Sequence, residues 1–249
     1  MPPRPGFVLF GSAHLWMLAL SLAAPVLLAL ACRQRPRLGR PIRFFLAALL
    51  GGGWLCWYAL FAARGWLNLG NGLPLNLCDW AALALIAALV RPSQLAYELG
   101  YFWGLGGSLQ GLITPDIAYD FPDPQFIFFF INHGGIITAL LYLSFTGMRP
   151  VPASLPRVAA ATLVYVLVAA IADDLLGINY GFLAAKPINP SMMDFLSPWP
   201  WYIPELVGIG LVSLLVYYAP FFVLDRLRRY RTEARAPSSR IKSGNTPSL

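Results

Sequence analysis

The chain has 249 residues, 58% of them hydrophobic and only 12% charged, with a formal charge of +7. A soluble domain carries about 25% charged residues, so intrinsic disorder, a nucleic-acid-binding domain and a secreted disulfide scaffold are excluded as descriptions of the bulk of the chain. Three cysteines, Cys32, Cys56 and Cys78, are odd in number and form no C-x-x-C, which leaves no disulfide framework and no zinc motif.

A membrane-spanning helix needs about 20 mainly apolar residues. Seven stretches meet this, at residues 8–32, 42–62, 73–91, 96–114, 125–146, 157–178 and 200–224. The predicted fold is all-α, a polytopic transmembrane bundle of seven helices over residues 1–233, with residues 234–249 as a disordered tail rich in Ser, Arg and Pro. The first stretch reads as a retained helix instead of a cleaved leader, because its cationic cluster follows the apolar run. Lys and Arg gather in alternate loops. Arg33, Arg35, Arg37, Arg40, Arg43, Arg91, Arg149, Arg157 and the tail hold most of the 18, against Arg4, Arg64 and Lys186 on the other side. The positive-inside rule then places the N-terminus outside and the C-terminus in the cytoplasm. The net charge reflects this bias and anionic inner-leaflet lipid, so no nucleic-acid partner is expected.

Polar residues inside the spans each need a reason, since an ionised group near a helix centre costs about 2.5–3.5 kcal/mol on insertion scales. Helix three, entering near Leu73, carries Asn76, Cys78 and Asp79 in its first two turns. Helix four has a glycine stripe, Gly100, Gly104, Gly107 and Gly111, suited to close packing, with Gln110 and Thr114 beyond it. The loop after it holds Asp116, Asp120 and Asp123 at a spacing that fits a solvated turn better than a calcium loop. Helix five carries Asn132 and His133, helix six Asp173 and Asp174 near its outer end, and helix seven Glu205, after an interfacial belt of Trp199, Trp201 and Tyr202. Taken singly, Cys78 reads as a packing residue, His133 as a hydrogen-bonded structural histidine, Asn76 and Asp79 as helix glue, and the Asp pair as a helix stop. Together, groups from several helices converge at one depth near the outer face. That pattern points to a cavity open to the outer side.

Several segments resemble the bacterial YwaF-like integral membrane proteins: Leu73-Pro74-Leu75-Asn76-Leu77-Cys78-Asp79; Tyr101-Phe102-Trp103-Gly104 with Gln110, Thr114 and Pro115; His133-Gly134; and Gly177-Ile178-Asn179-Tyr180 followed by Lys186-Pro187, Ser191, Asp194 and Pro198-Trp199-Pro200-Trp201-Tyr202. The likeness runs from His14 to Tyr202. It implies a multi-pass protein of the bacterial cytoplasmic membrane. That family is distantly similar to eukaryotic transmembrane acyltransferases acting on ether phospholipids and to androgen-induced membrane hydrolases of lipid esters. The resemblance implies Cys78 as nucleophile and His133 as base. One departure is Asn76, which stands where relatives often have a His.

The residues allow the same chemistry on general grounds. A histidine activates a thiol, a carboxylate (Asp173 or Asp174) orients the imidazole, and the Asn76 or Asn132 amides stabilise an oxyanion. The expected substrate-binding set is Asn76, Asp79, Gln110, Asn132, Asn179, Tyr180, Lys186 and Glu205. Membrane lipids are the expected partners, with a phospholipid or a small molecule as substrate. No metal, nucleotide or other cofactor is expected, because no phosphate loop or metal-ligand spacing occurs. The alternative to a lipid acyltransferase or hydrolase is a small-solute transporter or permease component using the same polar cluster. A third class is a signalling or scaffolding bundle without chemistry.

Overall fold

The computed structural model describes residues 6–187 and 191–235, with side chains of the last helix as far as Leu227. The expected tail begins within the final turn and otherwise lies outside the described residues. The elements are α1 (Ser12–Gln34), α2 (Gly39–Ala63), the single turn α3 (Leu69–Gly72), α4 (Leu77–Val90), α5 (Gln94–Trp103), α6 (Leu109–Ile113), α7 (Pro124–Phe145), α8 (Ser154–Leu176) and α9 (Tyr202–Arg235). Among the described residues, six helical segments are long and apolar enough to cross a membrane: Ser12–Gln34, Pro36–Ala63, Leu69–Val90, Pro124–Phe145, Ser154–Leu176 and Tyr202–Leu227. The fourth helix joins α5 to α6 through a π-helical turn at Gly104–Ser108 and runs on without a break. At about 1.5 Å per residue this composite reaches about 30 Å, the thickness of the hydrocarbon layer.

Two predicted spans differ in detail. The third, expected over 73–91, begins as helix only at Leu77, and a separate turn, α3, precedes the non-helical residues 73–76. The cause is local. Pro74 disfavours helical backbone at the residue before it, and Leu73 accordingly takes φ −99°, ψ 145°. Asn76 is likewise extended (φ −77°, ψ 151°) and serves as the N-cap of α4. The seventh, expected to stop at 224, continues as helix to Arg235.

α7 is the axis of the bundle. It packs against α1, α2, α4, α5, α6 and the π turn, and Phe126, Phe130, Ile137, Leu140 and Tyr142 are buried along it. Its close approaches use small residues: Gly134 lies against Ser21, and Gly135 against Leu50. α9 has the opposite character, touching α8 and the π turn while most of its apolar surface faces outward. In a bilayer that surface meets lipid tails, which are as apolar as the side chains themselves.

The arginine-rich end is closed by polar contacts. Glu98 on α5 is fully buried and takes hydrogen bonds from Gln94 Nε2, Ser154 Oγ and both Nε and Nη2 of Arg157. Arg43 donates to the carbonyls of Ala88 and Leu89, placing a cation on the C-terminus of α4, where unpaired carbonyls and the helix dipole favour it. Arg149 pairs with Asp225 on α9.

Candidate functional site

At the other end α2, α4 and α7 enclose a cavity of about 120 Å³. Its lining includes Trp54, Trp57 and Tyr58 from α2, Asn76, Cys78 and Asp79 at the start of α4, and Phe129, Asn132 and His133 from α7, with Asn71 from α3 and Asp116 from the segment before α7. Six residues singled out in the sequence therefore line one cavity: Asn76, Cys78, Asp79, Asp116, Asn132 and His133.

The break before α4 is what delivers Cys78. Because the helix restarts at Leu77, the thiol sits in the first turn of a 14-residue helix. The first turn has backbone N–H groups without intrahelical acceptors and the positive end of the helix dipole, a setting that favours developing negative charge. Asp79 locks this turn, since its Oδ2 accepts from the Asn76 N–H (3.0 Å) and its Oδ1 from Trp54 Nε1 (3.1 Å). The Asp79 carboxylate is thereby a cap for α4 and a tie to α2.

His133 is held on α7 by its own helix. Its Nδ1 is 3.1 Å from the Phe129 carbonyl one turn earlier, and its ring stacks on the Phe129 ring with centroids 4.1 Å apart and 19° between planes. A carbonyl oxygen only accepts, so Nδ1 carries the proton and Nε2 keeps its lone pair. The other histidine is the converse case. His14 is fully buried, its Nδ1 accepts from the Phe10 N–H (3.0 Å), and its Nε2 donates to the Leu112 carbonyl (2.7 Å). Both of its nitrogens are used, which makes His14 a strut between α1 and α6.

Asn132 lies beside His133 with Oδ1 buried and without a hydrogen-bond partner among the described residues. This oxygen is pressed against α2 at Gly53, where a Cβ would come within 2.7 Å of it. Only bare backbone lets α7 approach α2 this closely.

The remaining predicted residues lie elsewhere. Asp173 is buried but does not meet His133: its Oδ1 accepts from the Tyr180 N–H (2.7 Å) and its backbone carbonyl from Ile178, closing the end of α8 where Gly177 turns left-handed (φ 64°). The Phe129 carbonyl occupies the orienting role expected of Asp173 or Asp174. Asp174 is exposed, as is Gln110, and neither lines the cavity. Asn179 ties its own loop by accepting from Ala184 and Ala185 N–H and donating to the Ala185 carbonyl. Lys186 Nζ donates to the Leu196 carbonyl, and Glu205 accepts from the Ser197 N–H. Glu205 lines a separate shallow groove on α9 with Gly208, Val212 and Ser213.

Tyr180 has a role its sequence position conceals. Fully buried, it donates from its hydroxyl to the Leu69 carbonyl (2.8 Å) and accepts from the Leu73 N–H (2.8 Å). It thus holds α3 and the first residue of the break that precedes Cys78. The loop aspartates do not converge either. Asp123 caps α7 through the Gln125 N–H and forms a two-point ion pair with Arg64 (3.1 and 3.0 Å), while Asp120 accepts from the Phe121 N–H. Among the described residues no group of three His, Cys, Asp or Glu side chains is placed to hold a metal ion.

Sequence reasoning missed the aromatic wall of α2. Trp54, Trp57 and Tyr58 sit in an apolar run without polar periodicity, and only the folded arrangement shows that they face the cavity. Tyr165 was also missed. It is a buried tyrosine whose hydroxyl has no partner among the described residues and against which Gly181 packs.

The family profile that matches is that of the TMEM164 family, over residues 9–218, and the chain belongs to that family as a multi-pass membrane protein. No curated protein and no solved structure matches it.

Proposed function

We propose that this member of the TMEM164 family is a membrane-embedded lipid acyltransferase or lipid-ester hydrolase that works through an acyl-Cys78 intermediate with His133 as general base. The observation that carries the reading is the shared cavity: Cys78 at a helix N-terminus and His133 with Nε2 unprotonated line the same space. The resemblance to YwaF-like proteins, and through them to membrane acyltransferases and hydrolases, supports the same pair. The proposed setting is the bacterial cytoplasmic membrane, with the cavity end and N-terminus outside.

The steps follow from the residues. His133 Nε2 takes the thiol proton as Cys78 Sγ attacks the carbonyl carbon of a lipid ester. Charge moves to the carbonyl oxygen, where the N–H groups of the first turn of α4 and the amides of Asn76 or Asn132 stabilise it. The C–O bond breaks, the departing alkoxide takes the proton from His133, and a thioester remains on Cys78. His133 then removes a proton from an acceptor hydroxyl or from water, which attacks the thioester and returns the thiol. A cavity of about 120 Å³ holds a carbonyl and its neighbours but not an acyl chain, so the chain would stay in the bilayer while its ester enters.

The second reading is a solute transporter or permease component. The break before α4 favours it, since discontinuous helices aim their N-termini at bound substrates in many transporters. The closed Glu98–Arg157 end opposes an open path.

The test treats the purified protein with a thiol-directed, lipid-like electrophile and maps adducts by mass spectrometry. The acyl-enzyme reading expects Cys78 to label ahead of Cys32 and Cys56, and labelling to vanish in a folded His133→Ala variant. A Cys78 that does not label, or that labels equally without His133, directs the work to solute binding.

A further inference from the structure

The fourth helix approaches His133 and Leu77, the residue before Cys78. Over Gly104–Ser108 it is wound as a π turn, the kind of local insertion that shifts the helical register and recurs at functional sites. Beyond the start of that turn, two glycines face the helices that carry the chemistry. A Cβ built on Gly107 would lie 3.5 Å from the Leu77 side chain, the residue before Cys78. A Cβ on Gly111 would lie 2.9 Å from Cδ2 and 3.2 Å from Nε2 of His133. The His133 ring is therefore fixed on three sides: Nδ1 on the Phe129 carbonyl, one face on the Phe129 ring, and the Cδ2–Nε2 edge on the bare backbone of Gly111.

We propose that Gly111 is the positioning residue for His133, and that its lack of a side chain sets where Nε2 stands in the cavity. Carbon atoms prefer to sit about 3.5–4.0 Å apart, so a methyl group at this point forces the ring to move. The side left open is the cavity, so the ring yields by shifting into it. Yielding strains the Nδ1–H···O bond or the stack on Phe129. A displacement of about 1 Å in a general base costs on the order of 100-fold in rate. The catalytic meaning of Gly111 rests on the Cys78–His133 reading, whereas the contact that positions the ring does not.

A graded series isolates the contact. Ala at Gly106 meets nothing within 4 Å, at Gly107 it makes ordinary contact with Leu77, and at Gly111 it collides with His133. All three changes remove a flexible glycine from a helix, which is favourable by itself. The collision is therefore what sets Gly111 apart.

The experiment uses the full chain in lipid nanodiscs with ¹⁵N-labelled histidine. Only His14 and His133 contribute, and the structure gives them opposite tautomers, Nε2–H and Nδ1–H. Gly111→Ala is expected to move the His133 ring signals while those of His14 stay in place, and to slow Cys78 labelling by the lipid-like electrophile at least tenfold. Gly106→Ala is expected to change neither. Adding Phe129→Leu to Gly111→Ala gives the ring room and is expected to restore part of the labelling; this double variant is the one measured if Gly111→Ala alone does not fold. Unmoved His133 signals in folded Gly111→Ala overturn the proposal, as does unchanged labelling in Gly111→Ala when His133→Ala has lost it. Moved signals with full labelling in both Gly111→Ala and His133→Ala overturn the Cys–His reading and, with it, the catalytic meaning of Gly111.

Discussion

The two ends of the bundle both bury acidic and polar side chains, and they treat them in opposite ways. At the arginine-rich end Glu98 is fully buried, and each of its oxygens is engaged by Arg157, one of them also by Ser154 and Gln94. In the half of the bundle that holds the cavity, Asn132 Oδ1, Tyr165 Oη, Asp173 Oδ2 and Ser108 Oγ are buried without partners among the described residues. Leaving a buried polar atom unpaired costs about 1–3 kcal/mol. A fold that satisfies one end so fully and leaves atoms open at the other separates a closed clamp from a region with hydrogen-bonding capacity to spare.

This contrast makes one isosteric change informative at both ends. Glu98→Gln puts an NH₂ group among donors from Arg157, Ser154 and Gln94, and is expected to cost about 3–4 kcal/mol through the several hydrogen bonds to a charged acceptor that it loses, Arg157 itself being 44% exposed and able to turn to water. Thermal unfolding in nanodiscs should show this as the largest destabilisation of the set. Asp173→Asn keeps the oxygen that accepts from Tyr180 and alters only the one without a partner. Its expected cost is about 1 kcal/mol or less. Equal losses from the two substitutions would remove the distinction between the ends.

The cavity end contains its own fully satisfied pair as a control. Arg64→Leu strips the two-point partner from Asp123, whose side chain is only 5% exposed, and is expected to cost about 2–4 kcal/mol in the same assay. Tyr180→Phe removes the two hydrogen bonds that hold α3 and the start of the break before α4, with a loss of about 1–3 kcal/mol. Because it loosens the segment leading to Cys78, it is also expected to reduce Cys78 labelling. The smallest effect belongs to Cys78→Ser, expected to change stability by less than about 1 kcal/mol while abolishing labelling at that position. A large destabilisation by Cys78→Ser would make the residue part of the packing.

Much of the fold was legible in the sequence because lipid imposes a simple requirement: every spanning segment must be long, apolar and internally hydrogen-bonded. Seven spanning helices were expected; among the described residues six segments are long and apolar enough to cross a membrane, and the composite of α5, the π turn and α6 stands where the remaining one was expected. The break at Leu73–Asn76 was hidden in the same apolar run, although Pro74 and the capping pair Asn76 and Asp79 were its visible causes. The candidate site was legible as a depth. Residues placed near one face by counting turns, Asn76, Cys78, Asp79, Asn132 and His133, do line one cavity. Asp173, Asp174, Gln110, Asn179, Lys186 and Glu205 share that end of the bundle but serve other neighbours or none, since depth along a helix says nothing about which way a side chain points.

The sequence alone determined that this chain crosses a membrane several times, where its helices lie, and which polar residues gather towards one end. Those properties follow from composition and from distance along single helices. Tertiary structure decided which of the polar residues meet, that a backbone carbonyl of Phe129 instead of an aspartate orients His133, and that Gly111 abuts its imidazole. These depend on the rotation of each helix about its axis. That rotation is set by close packing between helices whose apolar faces, in lipid, carry almost no periodic signal.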